Sequence, residues 1–174
     1  MITRRELALM VGPLLAAGLL SNSGCTRIGI GQSKASAEDK VSDVMDAEAL
    51  FKARTAYLGD NISVLAQLNA VDLNALTGFR VSLETDIGRP WRLGILPQNP
   101  QTDDINLFRD RMRVRAALWL ACIGNADSVF WEAVDHIPAG ELRRTMADTW
   151  VGGPISELAS SPDALLELAR RLER

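Results

Sequence analysis

Apolar residues recur with two different periods along this chain, and the change of period divides it into elements. In GFRVSLETD, Phe79, Val81 and Leu83 alternate with Arg80, Ser82 and Glu84. In WRLGIL, Trp91, Leu93 and Ile95 alternate with Arg92 and Gly94. A period of two places one face of each strand against a core and leaves the other wet. The intervening DIGRP supplies the Gly and Pro of a hairpin connection. SVFWEAV predicts a third strand, with Val129, Trp131 and Ala133 on one face and Phe130 and Val134 on the other, so it sits centrally or is covered on both sides.

The other period is helical. Ile105, Phe108, Met112, Ala116, Trp119 and Ile123 recur every three or four residues and predict the longest helix. Thr102 or Asp103 suits its N-cap, and Gly124 or Asn125 suits a left-handed C-terminal position. DAEALFKARTAY begins with helical character. NISVLAQLNA follows Asp60 or Asn61 as cap, with Ile62, Leu65 and Leu68 on one side. AGELRRTMADTW and SPDALLELARRL predict two further helices, the second opened by Pro162 and Asp163. The pattern is that of an α+β domain: a small antiparallel sheet of about three strands against a long central helix, with further short helices.

The N-terminal residues break this pattern. Leu7 to Leu20 is 14 residues without a charge, preceded by Arg4 and Arg5. That is too short for a bilayer span, which needs about 20 residues, and suits the apolar core of an export signal. TRREL has the form of a twin-arginine signal, so either export route is open. Ser23-Gly24-Cys25 then places small residues before a cysteine, as in bacterial lipoproteins, although Asn22 stands where Leu is usual. Cys25 has three readings: lipidation, a disulfide to Cys122, or an inert thiol in a signal cut at Ala35-Ser36-Ala37. Lipidation is preferred, because the Ala-Ser-Ala site lies 17 residues beyond the apolar run.

Lipidation of Cys25 divides the chain into a signal peptide (1–24), a lipidated cysteine with flexible tether (25–42) and one domain (43–174). Thr26 to Ser42, rich in Gly, Ser and charge, would span roughly 20–25 Å as a coil. Cys122 would then lack a partner and act as a small core residue. Without residues 1–24 the chain carries 17 basic and 21 acidic side chains, a net of −4. A mildly acidic chain has no electrostatic footprint for nucleic acid. The expected partners are the membrane, through the lipid anchor on its extracytoplasmic face, and an envelope protein or cell-wall component.

FKARTAYLGDNISV, GFRVSLETDIGRPWRLGI, RAALWLACIGNADSVFW and ISELASSPDALLELARRL follow one another in that order. In this the chain resembles a bacterial family of exported lipoproteins that carry a domain of unknown function. Similar domains are appended outside the membrane to bla-regulator-type metallopeptidase sensors. The resemblance covers roughly Leu50 to Leu172. It is sharpest at Tyr57-Leu58-Gly59-Asp60-Asn61 and at the spacing of Asn125, Asp127 and Val129. It implies a cell-envelope domain and brings no catalytic residues.

Chemistry must therefore be sought in the residues. There is no G-x-S-x-G elbow, H-E-x-x-H, Walker loop or C-x-x-C pair. The single histidine, His136, excludes multi-histidine metal sites; with Asp135 and Glu132 it forms at most a partial ligand set, and a strand-end turn before Ile137-Pro138 is the simpler reading. Arg109, Arg111, Arg113 and Arg115 fall within seven residues, either as an anion site or, preferred here, as a solvated helix face. AYLGDN is either a recognition loop or a turn with a helix cap. The expectation is a non-catalytic binding or sensing domain with Tyr57, Asp60, Asn61, Arg80 and Arg92 as candidate binding residues. No metal or cofactor is expected. The alternatives are an envelope hydrolase using Glu84 and Glu132, and a structural or assembly lipoprotein.

Overall fold

A computed structural model describes residues 36–174, and in it the two alternating stretches become a hairpin. β1 (Thr77–Glu84) pairs antiparallel with β2 (Arg92–Pro100), with Val81 opposite Ile95 and Leu83 opposite Leu93. The turn between them holds Gly88 at φ +82, a conformation that glycine adopts without steric cost. β2 runs on through Gln98 to Pro100, beyond the expected WRLGIL, and a bulge between Thr77 and Gly78 absorbs the irregularity.

The sheet has four strands, in the order β1-β2-β3-β4, with β3 at Ser128–Trp131 and β4 at Gly140–Arg143. This corrects the expected antiparallel sheet of about three strands on two points. β2 and β3 run parallel, because the long helix α5 (Ile105–Cys122) lies between them and carries the chain back along the sheet. The fourth strand comes from GELR, expected as the start of a helix: Leu142 faces the core opposite Val129, and Glu141 and Arg143 face out. Only from Arg144 does that segment turn helical, as α6 (Arg144–Val151). β3 is central, as its apolar character suggested, but ends at Trp131 and leaves Ala133 exposed.

The helices lie on one face of this sheet. Before it come α1 (Val41–Val44), α2 (Ala47–Lys52), α3 (Asn61–Ala70) and α4 (Leu73–Leu76); after α6 come a 3-10 turn (Ile155–Ala159) and α7 (Pro162–Leu172). Asp46 caps α2 through Ala49 N–H, and Ser161 caps α7 through Ala164 N–H. The α5 stripe holds: Phe108, Met112, Ala116, Trp119 and Ile123 are fully buried, and only Ile105, at the helix start, is exposed. Burial spreads around the whole second half of the helix, from Val114 to Cys122, because α3, α7, α6 and the sheet surround it. Its cap is Asp104, which accepts from the N–H groups of Asn106 and Leu107, rather than Thr102 or Asp103.

Two local expectations are overturned by tertiary contacts. On α3 the buried positions are Val64, Gln67, Leu68 and Ala70, while Ile62 is 84% exposed. Gln67 takes a core position because its Nε2 donates to the Ala53 carbonyl at 2.8 Å. α5 ends without a left-handed residue. Ile123 becomes extended and bridges to Thr55, and Gly124 N–H donates to the Thr55 carbonyl at 2.8 Å. A Cβ on Gly124 would sit 3.2 Å from Ala56 Cα, so the glycine permits this backbone approach.

The segment expected as the end of the tether is partly folded. Ala37 and Val41 are buried. Glu173, beside the C-terminus, accepts from Val41 N–H at 2.6 Å and from Ser42 Oγ at 2.6 Å, and so caps α1. Arg111 reaches the same carboxylate at 3.5 Å and the Glu38 carbonyl at 2.9 Å. The folded unit therefore begins before Asp43. A single Val between polar neighbours carries no period, which is why the sequence does not reveal it. Cys25, the apolar run and the rest of the tether lie outside the described residues. Among the described residues no helix is long and apolar enough to cross a membrane.

Candidate functional site

Strand pairing decides which polar residues meet. The face of the sheet turned away from the helices carries Arg80, Ser82 and Glu84 from β1, and Arg92, Gly94 and Leu96 from β2. β3 and β4 add Ser128, Phe130, Glu141 and Arg143. Glu84, Arg92, Ser128 and Arg143 fall in one row across all four strands. Arg92 is its centre. Its Nε donates to Glu84 Oε2 at 2.8 Å, its Nη2 lies 2.7 Å from the same oxygen, and its Nη1 lies 3.9 Å from Glu141 Oε1. Its guanidinium carbon stands 4.6 Å above the Phe130 ring centre. Ser128 Oγ donates to Glu141 Oε1 at 2.8 Å, and Arg143 Nε donates to Oε2 at 3.3 Å. The result is a ladder of alternating sign, Glu84, Arg92, Glu141, Arg143, laid over an aromatic ring.

The electrostatics follow from these contacts. The Glu141 carboxyl is held below its ordinary value, first by the Ser128 hydroxyl and then by the two arginines, despite partial desolvation. The hydrogen bond to Glu84 raises the Arg92 guanidinium further. Gly94 keeps the ladder flat: a side chain there would run into Ser82 and the Phe130 ring. Each half-exposed pair contributes about 0–1 kcal/mol to folding, so the ladder orders side chains more than it stabilises the sheet.

A second group lies at the end of the sheet where β2 and β3 begin. The Tyr57 ring meets the Trp91 ring edge-on, with centroids 5.1 Å apart, and Tyr57 is half exposed. Leu58, fully buried, donates its N–H to Asn125 Oδ1 at 2.7 Å. Asp127 Oδ2 accepts from Trp91 N–H at 2.6 Å, and Asp127 N–H donates back to the Trp91 carbonyl at 2.7 Å. The Tyr57–Asn61 stretch and the Asn125–Asp127 stretch are thus joined in space. Arg144 secures the same corner from a half-buried position, donating to the carbonyls of Ile123 and Ala126 at 2.6 and 2.9 Å. Its pKa falls because of desolvation.

The candidate residues take different places in this arrangement. Tyr57 meets Trp91 at the end of the sheet, whereas Arg92 belongs to the outer-face ladder. Asp60 is the N-cap of α3: its carboxylate accepts from Ser63 N–H at 3.2 Å and Ser63 Oγ at 2.7 Å, and these bonds lower its pKa. Asn61 is the exposed first residue of that helix. Arg80 pairs with Leu96, four residues along β2 from Arg92, and makes no ion pair or hydrogen bond among the described residues. Glu84 and Glu132 do not converge. Glu132 N–H bonds to the Ile95 carbonyl at the far end of the parallel pair, about 10 Å along β2 from the Glu84–Arg92 row.

The four arginines of α5 form neither an anion site nor a uniform solvated face. Residues two apart on a helix point to opposite sides. Arg109 is exposed, Arg111 meets Glu173, and Arg113 lies 4.8 Å over the Trp150 ring. Arg115 is fully buried, donating to the carbonyls of Val71, Asp72 and Arg111 at 3.0, 3.1 and 3.3 Å. Desolvation lowers its pKa to about 10. Arg113, Thr145, Met146, Thr149 and Trp150 line an open groove of about 500 Å³ between α5 and α6. His136 lies in the expected strand-end turn, closed by mutual bonds of Val134 and Ile137, with its Nε2 2.9 Å from the Asp103 carbonyl. Among the described residues no three His, Cys, Asp or Glu side chains could hold a metal ion.

Sequence reasoning missed Phe130, Ser128, Glu141 and Arg143. The usable signal was the Glu-Leu-Arg alternation in GELR, which reads as a strand once a neighbouring strand is supplied. Protein-family models, curated proteins and solved structures were compared with the chain, and none matches it. The fold and the site define the class to this extent: a two-layer α+β domain with an open, charge-ordered sheet face.

Proposed function

We propose that the chain is a membrane-tethered, extracytoplasmic binding or sensing lipoprotein, anchored through Cys25, and that the open sheet face around Arg92 is its recognition surface. The observation that carries this reading is the Glu84–Arg92–Glu141–Arg143 ladder over Phe130. It pre-positions charged donors and acceptors on rigid strands beside an aromatic ring, and it faces solvent. Pre-ordered groups lose little side-chain freedom when a polar ligand binds. An envelope protein or cell-wall component is the partner that the export signal and the resemblance to envelope lipoproteins favour.

A non-catalytic role accords with the carboxylates. General acid catalysis needs a carboxyl whose pKa is raised, and Glu141 is held low by Ser128 and two arginines. The carboxylates that a hydrolase would use, Glu84 on β1 and Glu132 just past the end of β3, lie to either side of β2 and at opposite ends of the β2–β3 pairing.

The test has two arms. Cys25→Ser should move the protein from the membrane to the soluble fraction, and the native mature chain should begin at Cys25 with added acyl mass. A mature N-terminus at Glu38 would overturn the anchor. For the surface, co-sedimentation with purified cell-wall sacculi and photo-crosslinking from position 130 in intact envelopes should both weaken in Arg92→Ala. Unchanged sedimentation and crosslinking in that variant would overturn the site.

A further inference from the structure

The two edges of the sheet are built differently. β4 has four residues and runs straight into α6, a short edge of the kind that discourages further pairing. β1 has eight residues, with no proline and no lysine. From Phe79 to Glu84 it forms no backbone hydrogen bond among the described residues except to β2. Its core-side residues Phe79, Val81 and Leu83 remain half-buried. Beyond the bulge at Thr77–Gly78, this unpaired edge is regular and is a template for another strand.

The charge ladder indicates which strand. Across the outer face the signs alternate from Arg143 through Glu141 and Arg92 to Glu84, which lies on β1. Both Arg92 contacts fall on Glu84 Oε2, and Oε1 has no bond among the described residues. The next position beyond that edge therefore favours a cation. β1 itself carries one: Arg80, exposed and without a partner among the described residues, four residues before Glu84 on the same face.

We propose that β1 pairs antiparallel with β1 of a second copy of this chain about a two-fold axis at Ser82, giving one continuous eight-stranded sheet. In this register Arg80 of each copy lies opposite Glu84 of the other, and Val81 lies opposite Leu83. The ladder then runs unbroken across both copies. Registers that pair even with even positions keep both helix layers on the same side of the sheet. A centre at Val81 sets Arg80 against Ser82 and leaves Glu84 opposite Gly78. A centre at Arg80 opposes like charges, which destabilises cross-strand pairs. The interface is isologous, as dimer interfaces usually are.

The test uses the full chain in detergent, in a Cys25→Ser background so that Cys122, which is buried, is the only native thiol. Directly opposite residues of an antiparallel pair have Cα atoms about 4.5–5.5 Å apart, within the span of a disulfide. Ser82→Cys should therefore form a covalent dimer under mild oxidation. Arg80→Cys should not, because its two copies stand about 13 Å apart along the strands. Arg80→Glu should weaken association at least tenfold in analytical ultracentrifugation, and leave the melting temperature unchanged at dilutions where both proteins are monomeric. A chain that stays monomeric at about 100 µM, well above the range of a standard specific interface, would overturn the proposal. So would a dimer that neither crosslinks at position 82 nor responds to Arg80→Glu.

Discussion

The backbone N–H of Leu58 donates to the side-chain oxygen of Asn125 at 2.7 Å, across 67 residues of sequence. Leu58 is fully buried, so this N–H has no recourse to water. The bond ties the loop bearing Tyr57 to the turn that launches β3, and it sets the Tyr57 ring beside Trp91. Asn125→Ala should cost roughly 1–3 kcal/mol in denaturant unfolding, the penalty of a buried unpaired donor. Asn125→Asp, which keeps an acceptor, should recover most of that loss. Equal losses in the two variants would mean that the hydrogen bond is not the cause.

Trp119 anchors α5 against α3. It is fully buried, and its indole N–H lies 3.4 Å from the Gln67 carbonyl. Trp119→Ala should destabilise the domain by about 3–5 kcal/mol, the range for truncating a buried aromatic. Trp119→Phe should lose much less. A cost for the alanine variant below about 1 kcal/mol would place this residue at the surface rather than in the core.

The Arg92–Glu84 pair is about two-fifths exposed on both sides. Solvent screening then limits its coupling to about 0–1 kcal/mol in a double-mutant cycle, and raised salt should reduce it further. A coupling of several kcal/mol would reveal a pair that is desolvated, and the outer face would then be covered.

Glu141 gives the acid side of the stability profile. Its folded pKa lies below the ordinary 4.5, first because of Ser128. A depressed carboxyl contributes stability that is present above the unfolded value and lost as pH falls through the folded one. Urea unfolding between about pH 3 and 7 should show a fall in stability below about 4.5, and Glu141→Gln should make that fall shallower. Parallel profiles for the two proteins would show that Glu141 is not depressed.

Cys122 should be inert in the native state. Burial pushes its thiol up to about 12. Since the thiolate is the reactive form, alkylation near pH 8 would proceed through roughly one molecule in ten thousand. Iodoacetamide should label Cys122 only after denaturation, and reductant should leave the melting temperature unchanged. Rapid labelling of the folded protein would place this thiol at an accessible position.

What the sequence determined by itself rests on neighbours within about four residues. Asp46, Asp60 and Ser161 act as caps because each needs only the N–H groups of the turn that follows. The alternation in β1 and the start of β2, and the stripe from Phe108 to Ile123, express the geometry of single elements, so the α+β class was legible. Tertiary structure decided what depends on distant partners. The parallel pairing of β2 with β3 follows from the route of α5, and GELR becomes a strand only because Val129 lies opposite Leu142. Polar residues enter the core where distant carbonyls receive them, as Gln67 does at Ala53 and Arg115 at Val71. The candidate site divides in the same way. Tyr57, Asp60 and Arg92 stand out in the sequence, but Phe130, Ser128 and Glu141 join Arg92 only through strand register, a long-range property that no local period encodes.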